Sequence, residues 1–172
     1  MLEIDLRELA RGPVETGADL TGDDPLLAGL GIAVAEPVHV RGRLQAAGEG
    51  RFYWTGSLRT VVGRVCRRCL APMAVPVEVA IGALFSQEPD AEDDPSTYAI
   101  PSDARAIDVR PAVREELILA VPEYVVCRDD CRGLCPRCGK DLNAGACGCP
   151  PAPAPVDGRW QGLVALRDTL PD

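Results

Sequence analysis

The chain is poor in the residues that usually do chemistry. Its 172 residues include one histidine, His39, and one lysine, Lys140, beside 17 arginines. A single histidine leaves no way to build a Ser-His-Asp set. It falls on the polar side of an expected strand, where a solvent-exposed role is expected rather than a catalytic one. No phosphate-cradling glycine loop and no dinucleotide fingerprint occurs. Aromatics number only seven, two Trp, three Tyr and two Phe, so valine, leucine and alanine must fill a core. No run of eighteen apolar residues exists, and no membrane span is expected. The opening "MLEIDLRELARG" carries acids within an amphipathic pattern, unlike an export signal, which points to a cytoplasmic chain. With 17 glycines and 16 prolines, long helices are not expected either. These absences argue against an enzyme and against a small-molecule substrate.

What is abundant is cysteine. Six of the eight form the run Cys127-x3-Cys131-x3-Cys135-x2-Cys138 followed by Cys147-x-Cys149, and Cys66-x2-Cys69 stands far upstream. Cytosolic thiols stay reduced, so these spacings indicate tetrahedral metal, most often zinc, in preference to disulfides. In "LCPRCGKDL" the short gap turns two sulfurs toward one ion, and the glycine after the second cysteine permits positive φ. Eight thiolates suit two zinc ions. The preferred partition is Cys66, Cys69, Cys127 and Cys131 around one, and Cys135, Cys138, Cys147 and Cys149 around the other. The tight Cys147-Gly148-Cys149 gap leaves a bridged or re-partitioned arrangement open. Four protein ligands close each site to water, so the expected role is structural. Zinc contributes roughly 10–16 kcal/mol in isolated fingers, enough to decide whether such a module folds. A redox use of Cys66-x2-Cys69 is disfavoured, because the pair lies between strands rather than at a helix N-terminus.

Alternation places strands at residues 2–6, 37–45, 52–65 and 73–85, the last three forming an antiparallel meander. The first knuckle then sits at a strand end. An acidic stretch, 86–106, reads as a mobile loop. Asp108 is placed as the N-cap of a helix whose stripe is Val109, Val113, Leu117 and Val121. Ala112, Ile118 and Ala120 widen that stripe, Glu115 and Glu116 stay in water, and Pro122 ends the helix. The expected fold class is α+β, a meander with one packed helix and a C-terminal cysteine-rich zinc-binding module. Its divisions are a sheet-and-helix domain at 1–126, the module at 127–149, a Pro-rich linker at 150–155 and a short amphipathic helix at 156–172.

Net charge is −8, a poor basis for indiscriminate nucleic-acid binding. Between residues 41 and 69, however, Arg41, Arg43, Arg51, Arg59, Arg64, Arg67 and Arg68 face only one acid, Glu49. Such a cluster is either a solvated surface or a face for RNA.

The segments "CRRCLAPMAVPVEV", "IDVRPAVREELILAVPEYVVCRDDCRGLCPRCGKDLN" and "VDGRWQGLVAL", in that order, resemble the YceD family of large ribosomal RNA subunit accumulation proteins. The arginine-rich, lysine-poor composition is similar to its actinobacterial branch. That resemblance implies a cytoplasmic, non-enzymatic factor for synthesis, processing or stability of 23S rRNA. Its partners would be 23S rRNA, a large-subunit precursor or a ribosomal protein, met through the Arg41–Arg68 face. The alternative is a zinc-dependent protein-interaction module of a transcription or other cytosolic complex, using its terminal helix as bait.

Overall fold

The structure is a computed structural model that describes residues 1–89 and 91–150. Apart from Pro150, the expected linker and the terminal helix at 156–172 lie outside the described residues. Strand β1 (Glu3–Asp5) leads into a one-turn helix α1 (Leu6–Leu9), and β2 (Val14–Leu20) and the short β3 (Ala33–Val34) follow. The long strands are β4 (Val38–Gly48), β5 (Arg51–Val65) and β6 (Pro72–Ser86). After them come β7 (Thr97–Ala99), β8 (Ala106–Asp108) and helix α2 (Arg110–Ala120).

One six-stranded sheet has the order β2-β4-β5-β6-β7, with β3 paired to β5 in line with β4. The meander β4-β5-β6 is antiparallel throughout, so the α+β expectation holds. β1 pairs with β8 in a separate two-stranded ribbon. One face of the main sheet is buried. Val38, Val40 and Leu44 of β4, Trp54, Leu58 and Val62 of β5, and Val77, Ile81, Ala83 and Phe85 of β6 alternate onto it. This is the period-two pattern of a half-buried sheet. α2 packs across β6 with Val109, Val113 and Leu117 fully buried.

Trp54 explains two glycines. Its indole lies across the sheet, so a Cβ at Gly56 would stand 2.5 Å from the ring and one at Gly42 2.7 Å. Its Nε1 donates to buried Thr16 Oγ1 at 2.9 Å, which satisfies the one polar atom that burial would otherwise strand.

Four expectations need correction. The stretch 14–20, where the sequence pattern places no element, is a strand: "VETGADL" alternates, but with residues too small and too acidic to announce it. The acidic stretch 86–106 is not featureless. Both Asp94 carboxylate oxygens are engaged, accepting from Ser96 N and Oγ and from Thr97 Oγ1. These bonds launch β7, which pairs parallel to β6 and stacks Tyr98 on Phe85 at 5.2 Å. Asp108 is not the cap residue but the last of β8; Val109 holds the cap position without a side-chain bond. From one residue further back, Asp108 Oδ1 still accepts from Arg110 N at 2.9 Å. Finally, Ile118 does not widen the buried stripe: it is exposed, while Glu116 is half-buried. Among the described residues the helix has one covered side.

Candidate metal centre

β5 ends at Val65, and Cys66 begins the turn into β6. In that turn Cys66 N donates to Ala71 O at 2.8 Å and Leu70 N to Cys66 O at 2.9 Å. The same turn recurs downstream, where Cys135 N donates to Lys140 O at 2.9 Å and Gly139 N to Cys135 O at 2.9 Å. The position after the second cysteine has positive φ in both, 70° at Gly139 and 61° at Leu70. Glycine adopts that conformation freely; leucine does so only at a cost.

The structure brings the sulfurs together in the expected partition. Cys66, Cys69, Cys127 and Cys131 form one group, and Cys135, Cys138, Cys147 and Cys149 the other, with all four ligand atoms of each group within 4.8 Å of one another. Cys66 and Cys131 sulfurs are 3.8 Å apart, and those of Cys69 and Cys127 3.7 Å. A tetrahedron with metal–sulfur bonds of about 2.3 Å has edges of about 3.8 Å. Disulfide bonds, at about 2.05 Å, are not what these separations describe. The donor set fits a soft, tetrahedral divalent ion, and each group has four ligands, enough to close its shell.

Backbone amides prepare the sulfurs. Arg68 N and Cys127 N both donate to Cys66 Sγ at 3.4 Å. The amide of Cys69 contributes most to holding the Cys66 thiol down at about 6, with those of Cys127 and Arg68 adding to it against the opposing effect of burial. The amides of Arg137 and Cys138 do the same for Cys135, also at about 6. Crowding acts the other way. The neighbouring Cys131 sulfur, then burial, pushes Cys127 up to about 12, and Cys138 pushes Cys149 up to about 12. Four sulfurs so close hold protons in common, and a divalent cation would displace them.

Two side chains brace the first group. Arg68 Nη1 donates to the carbonyls of Asp129 and Cys131 at 3.0 and 3.1 Å. Asn143, from the short 3-10 turn Leu142–Ala144, directs Nδ2 at Cys131 Sγ at 3.5 Å. Sequence reasoning missed Asn143, although it closes the quoted "GKDLN"; nothing local says which sulfur it meets.

The arginines do not form one face. Arg41, Arg43, Arg51 and Arg59 are on the outward side of β4 and β5, with exposed His39. Arg41 pairs with Asp19 at 2.9 Å, Arg43 with Glu15 at 3.7 Å and Arg59 with Glu78 at 2.8 Å. Arg51 Nε donates to Glu88 at 2.9 Å, and His39 meets Asp19 at 2.8 Å. Arg64 instead is half-buried on the core side of β5, its Nε without a hydrogen-bond partner. Arg67 stacks on Tyr124 at 4.7 Å. Amid the outward arginines stands Tyr53, partly exposed, whose hydroxyl occupies the space a Cβ at Gly82 would need.

The chain matches the family described as large ribosomal RNA subunit accumulation protein YceD over residues 54–167, well over half its length. It belongs to the YceD family. An uncharacterised protein of Mycobacterium tuberculosis is 32% identical over 141 residues, covering 74% of this chain and 63% of the relative. The maize protein named large ribosomal RNA subunit accumulation protein YCED homolog 1, chloroplastic, is 25% identical over 150 residues, 69% of this chain and 49% of its own. Bacillus subtilis YlbN, uncharacterised, is 31% identical over 109 residues, 61% of this chain and 60% of its own. The chain thus spans about half to under two thirds of the length of these relatives. No solved structure matches. Among the described residues no helix is long and apolar enough to cross a membrane.

Proposed function

We propose that this chain is a non-catalytic cytoplasmic factor of large-subunit biogenesis, stabilised by two zinc ions and acting in synthesis, processing or stability of 23S rRNA. The family match over residues 54–167 carries the reading. The cysteine geometry supports its zinc component, since each group gathers four sulfurs within 4.8 Å of one another and the first holds pairs at the 3.7 and 3.8 Å of a tetrahedral edge.

RNA would meet the outward face of β4 and β5. Tyr53 offers a ring for base stacking, worth about 1–3 kcal/mol per base, with Arg43 and Arg51 on the same side of the sheet. The carboxylates already paired to these arginines are no obstacle. Exposed ion pairs contribute about 0–1 kcal/mol, so a phosphate replaces a carboxylate at little cost. Arg67 and Arg68 belong to the knuckle, where Arg68 is committed to backbone carbonyls.

The test is sedimentation of the full chain with large-subunit precursors, together with binding to 23S rRNA fragments across a salt series. Association should weaken with salt, and Arg43→Ala should flatten the log–log slope by about 0.7–0.9 per lost phosphate contact. Glu15→Gln, which frees Arg43, should tighten binding about two- to fivefold, the equivalent of half to one kcal/mol from a surface charge pair. No association with either precursors or fragments at low salt would end the proposal.

A second reading has its own observation. Val65, Leu70, Ile118, Leu119 and Tyr124 are all exposed and lie on segments joined by the Arg67–Val125 hydrogen bond. Apolar exposure of this kind suits a protein partner. Were Leu70→Ser to abolish precursor association while leaving fragment binding intact, contact through a ribosomal protein would be favoured over direct RNA contact.

A further inference from the structure

Asn143 belongs to the loop that the second cysteine group closes, yet its amide reaches a sulfur of the first. The loop runs from Cys138 to Cys147, so gathering the second group's sulfurs fixes both its ends. The asparagine's orientation is set by its four partners. Oδ1 accepts from Arg132 N at 2.8 Å and from Arg128 at 2.9 Å. That leaves Nδ2 to donate, to Asp141 Oδ1 at 2.8 Å and to Cys131 Sγ at 3.5 Å.

The backbone joins the two groups as well. Only Arg132, Gly133 and Leu134 separate Cys131 from Cys135. Leu134 N donates to Arg68 O at 3.0 Å, inside the first knuckle, and Leu142 N donates to Gly133 O at 2.9 Å. Gly133 has φ +71°, and a Cβ there would stand 2.9 Å from Arg68 O, so the approach is as close as backbone allows. The loop, the linking arm and the first knuckle are one hydrogen-bonded frame.

We infer that the two cysteine groups load metal cooperatively as a single binuclear unit, and that Asn143 is the positioning residue that couples them. Metal in the second group orders the loop; the ordered loop delivers an N–H to the Cys131 thiolate; and that bond strengthens the first group's hold on its own ion. Linkage requires the reverse effect to be equal in size. The inference rests on the metal reading above and goes beyond it, because two closed sites need not communicate.

The experiment titrates cobalt(II) into the reduced, metal-stripped full chain. It follows thiolate-to-metal charge-transfer and ligand-field bands, with zinc competition against a chromophoric chelator. In the wild-type chain both sites should fill in one steep phase. Asn143→Ala retains all eight cysteines. It should weaken the first site about tenfold, the lower end for loss of an outer-shell hydrogen bond, and split filling into two phases. It should also move the charge-transfer band to lower energy, because a thiolate that loses an N–H bond is more electron-rich. A purely structural asparagine would not move that band. Replacing both Cys147 and Cys149 by serine should weaken the first site by a similar factor, and combining this change with Asn143→Ala should add little. Independent filling in the wild-type chain, or an unshifted band in Asn143→Ala, overturns the inference while leaving two metal sites in place. Failure to form any tetrahedral thiolate spectrum defeats the metal reading itself.

Discussion

At the scale of single residues, Leu70 is the oddity. It is 60% exposed and held at φ 61°, while its counterpart in the other knuckle is a glycine. A side chain in this conformation costs roughly 1–2 kcal/mol, part of which glycine returns through its freer unfolded state. Leu70→Gly should therefore stabilise the chain by about 1 kcal/mol, read from denaturant midpoints at unchanged m-value. A loss of stability would mean that the leucine packs on something that repays the strain. The knuckle was legible from its spacing, but the strain was not. "CRRCL" and "CPRCG" look like a poor and a good version of one turn, and only the backbone shows that both make it.

Among elements, the long strands and α2 were readable because their alternation and their stripe come from large aliphatic residues. β2 and β7 were not, because few large side chains mark them and their pairing partners lie well away in sequence. That omission also hid the charge balance of the arginines. Asp19 and Glu15 lie on β2, and only the pairing of β2 with β4 sets them opposite His39 and Arg43. At the entry to α2, burial raises the Asp108 carboxyl, but the bonds from the Arg110 side chain and amide outweigh it and leave its pKa below the ordinary value. A group depressed in the folded state stabilises above its unfolded pKa and loses that contribution as pH falls through the folded one. Asp108→Asn keeps an oxygen acceptor but loses the charge paired with Arg110, and should thus cost about 0.2–1 kcal/mol at neutral pH, the usual size for an exposed pair. Thermal melts should show the two proteins converging in acid. A gap that persists below the ordinary carboxylate range would assign the effect to shape rather than charge.

On the scale of the whole molecule, the sheet and α2 enclose a core to which no cysteine of the second group contributes. Few aromatics sufficed, since Trp54 and Phe85 are surrounded by aliphatic side chains. Among the described residues beyond 126 there is no comparable apolar interior: Cys131 and Cys135 are the buried hydrophobic residues there. Stripping metal with a strong chelator should abolish amide-exchange protection over 127–150 and around residues 66–70, and spare β4, β5 and β6. Collapse of the strands in the same step would show that the sheet does not stand alone. The partition of the cysteines was legible because each group joins two pairs that follow one another in chain order. The joining of the two groups was not, since it depends on which sulfur a single asparagine happens to meet.

β5 runs without interruption for 15 residues from the hairpin tip to the first knuckle, roughly 50 Å at about 3.3 Å per residue. Each of its side chains owes its direction to counting from Cys66. Inserting or deleting one residue between Trp54 and Cys66, with no bulge to absorb it, would turn every position on the hairpin side inside out, sending Tyr53 into the core and Trp54 into water.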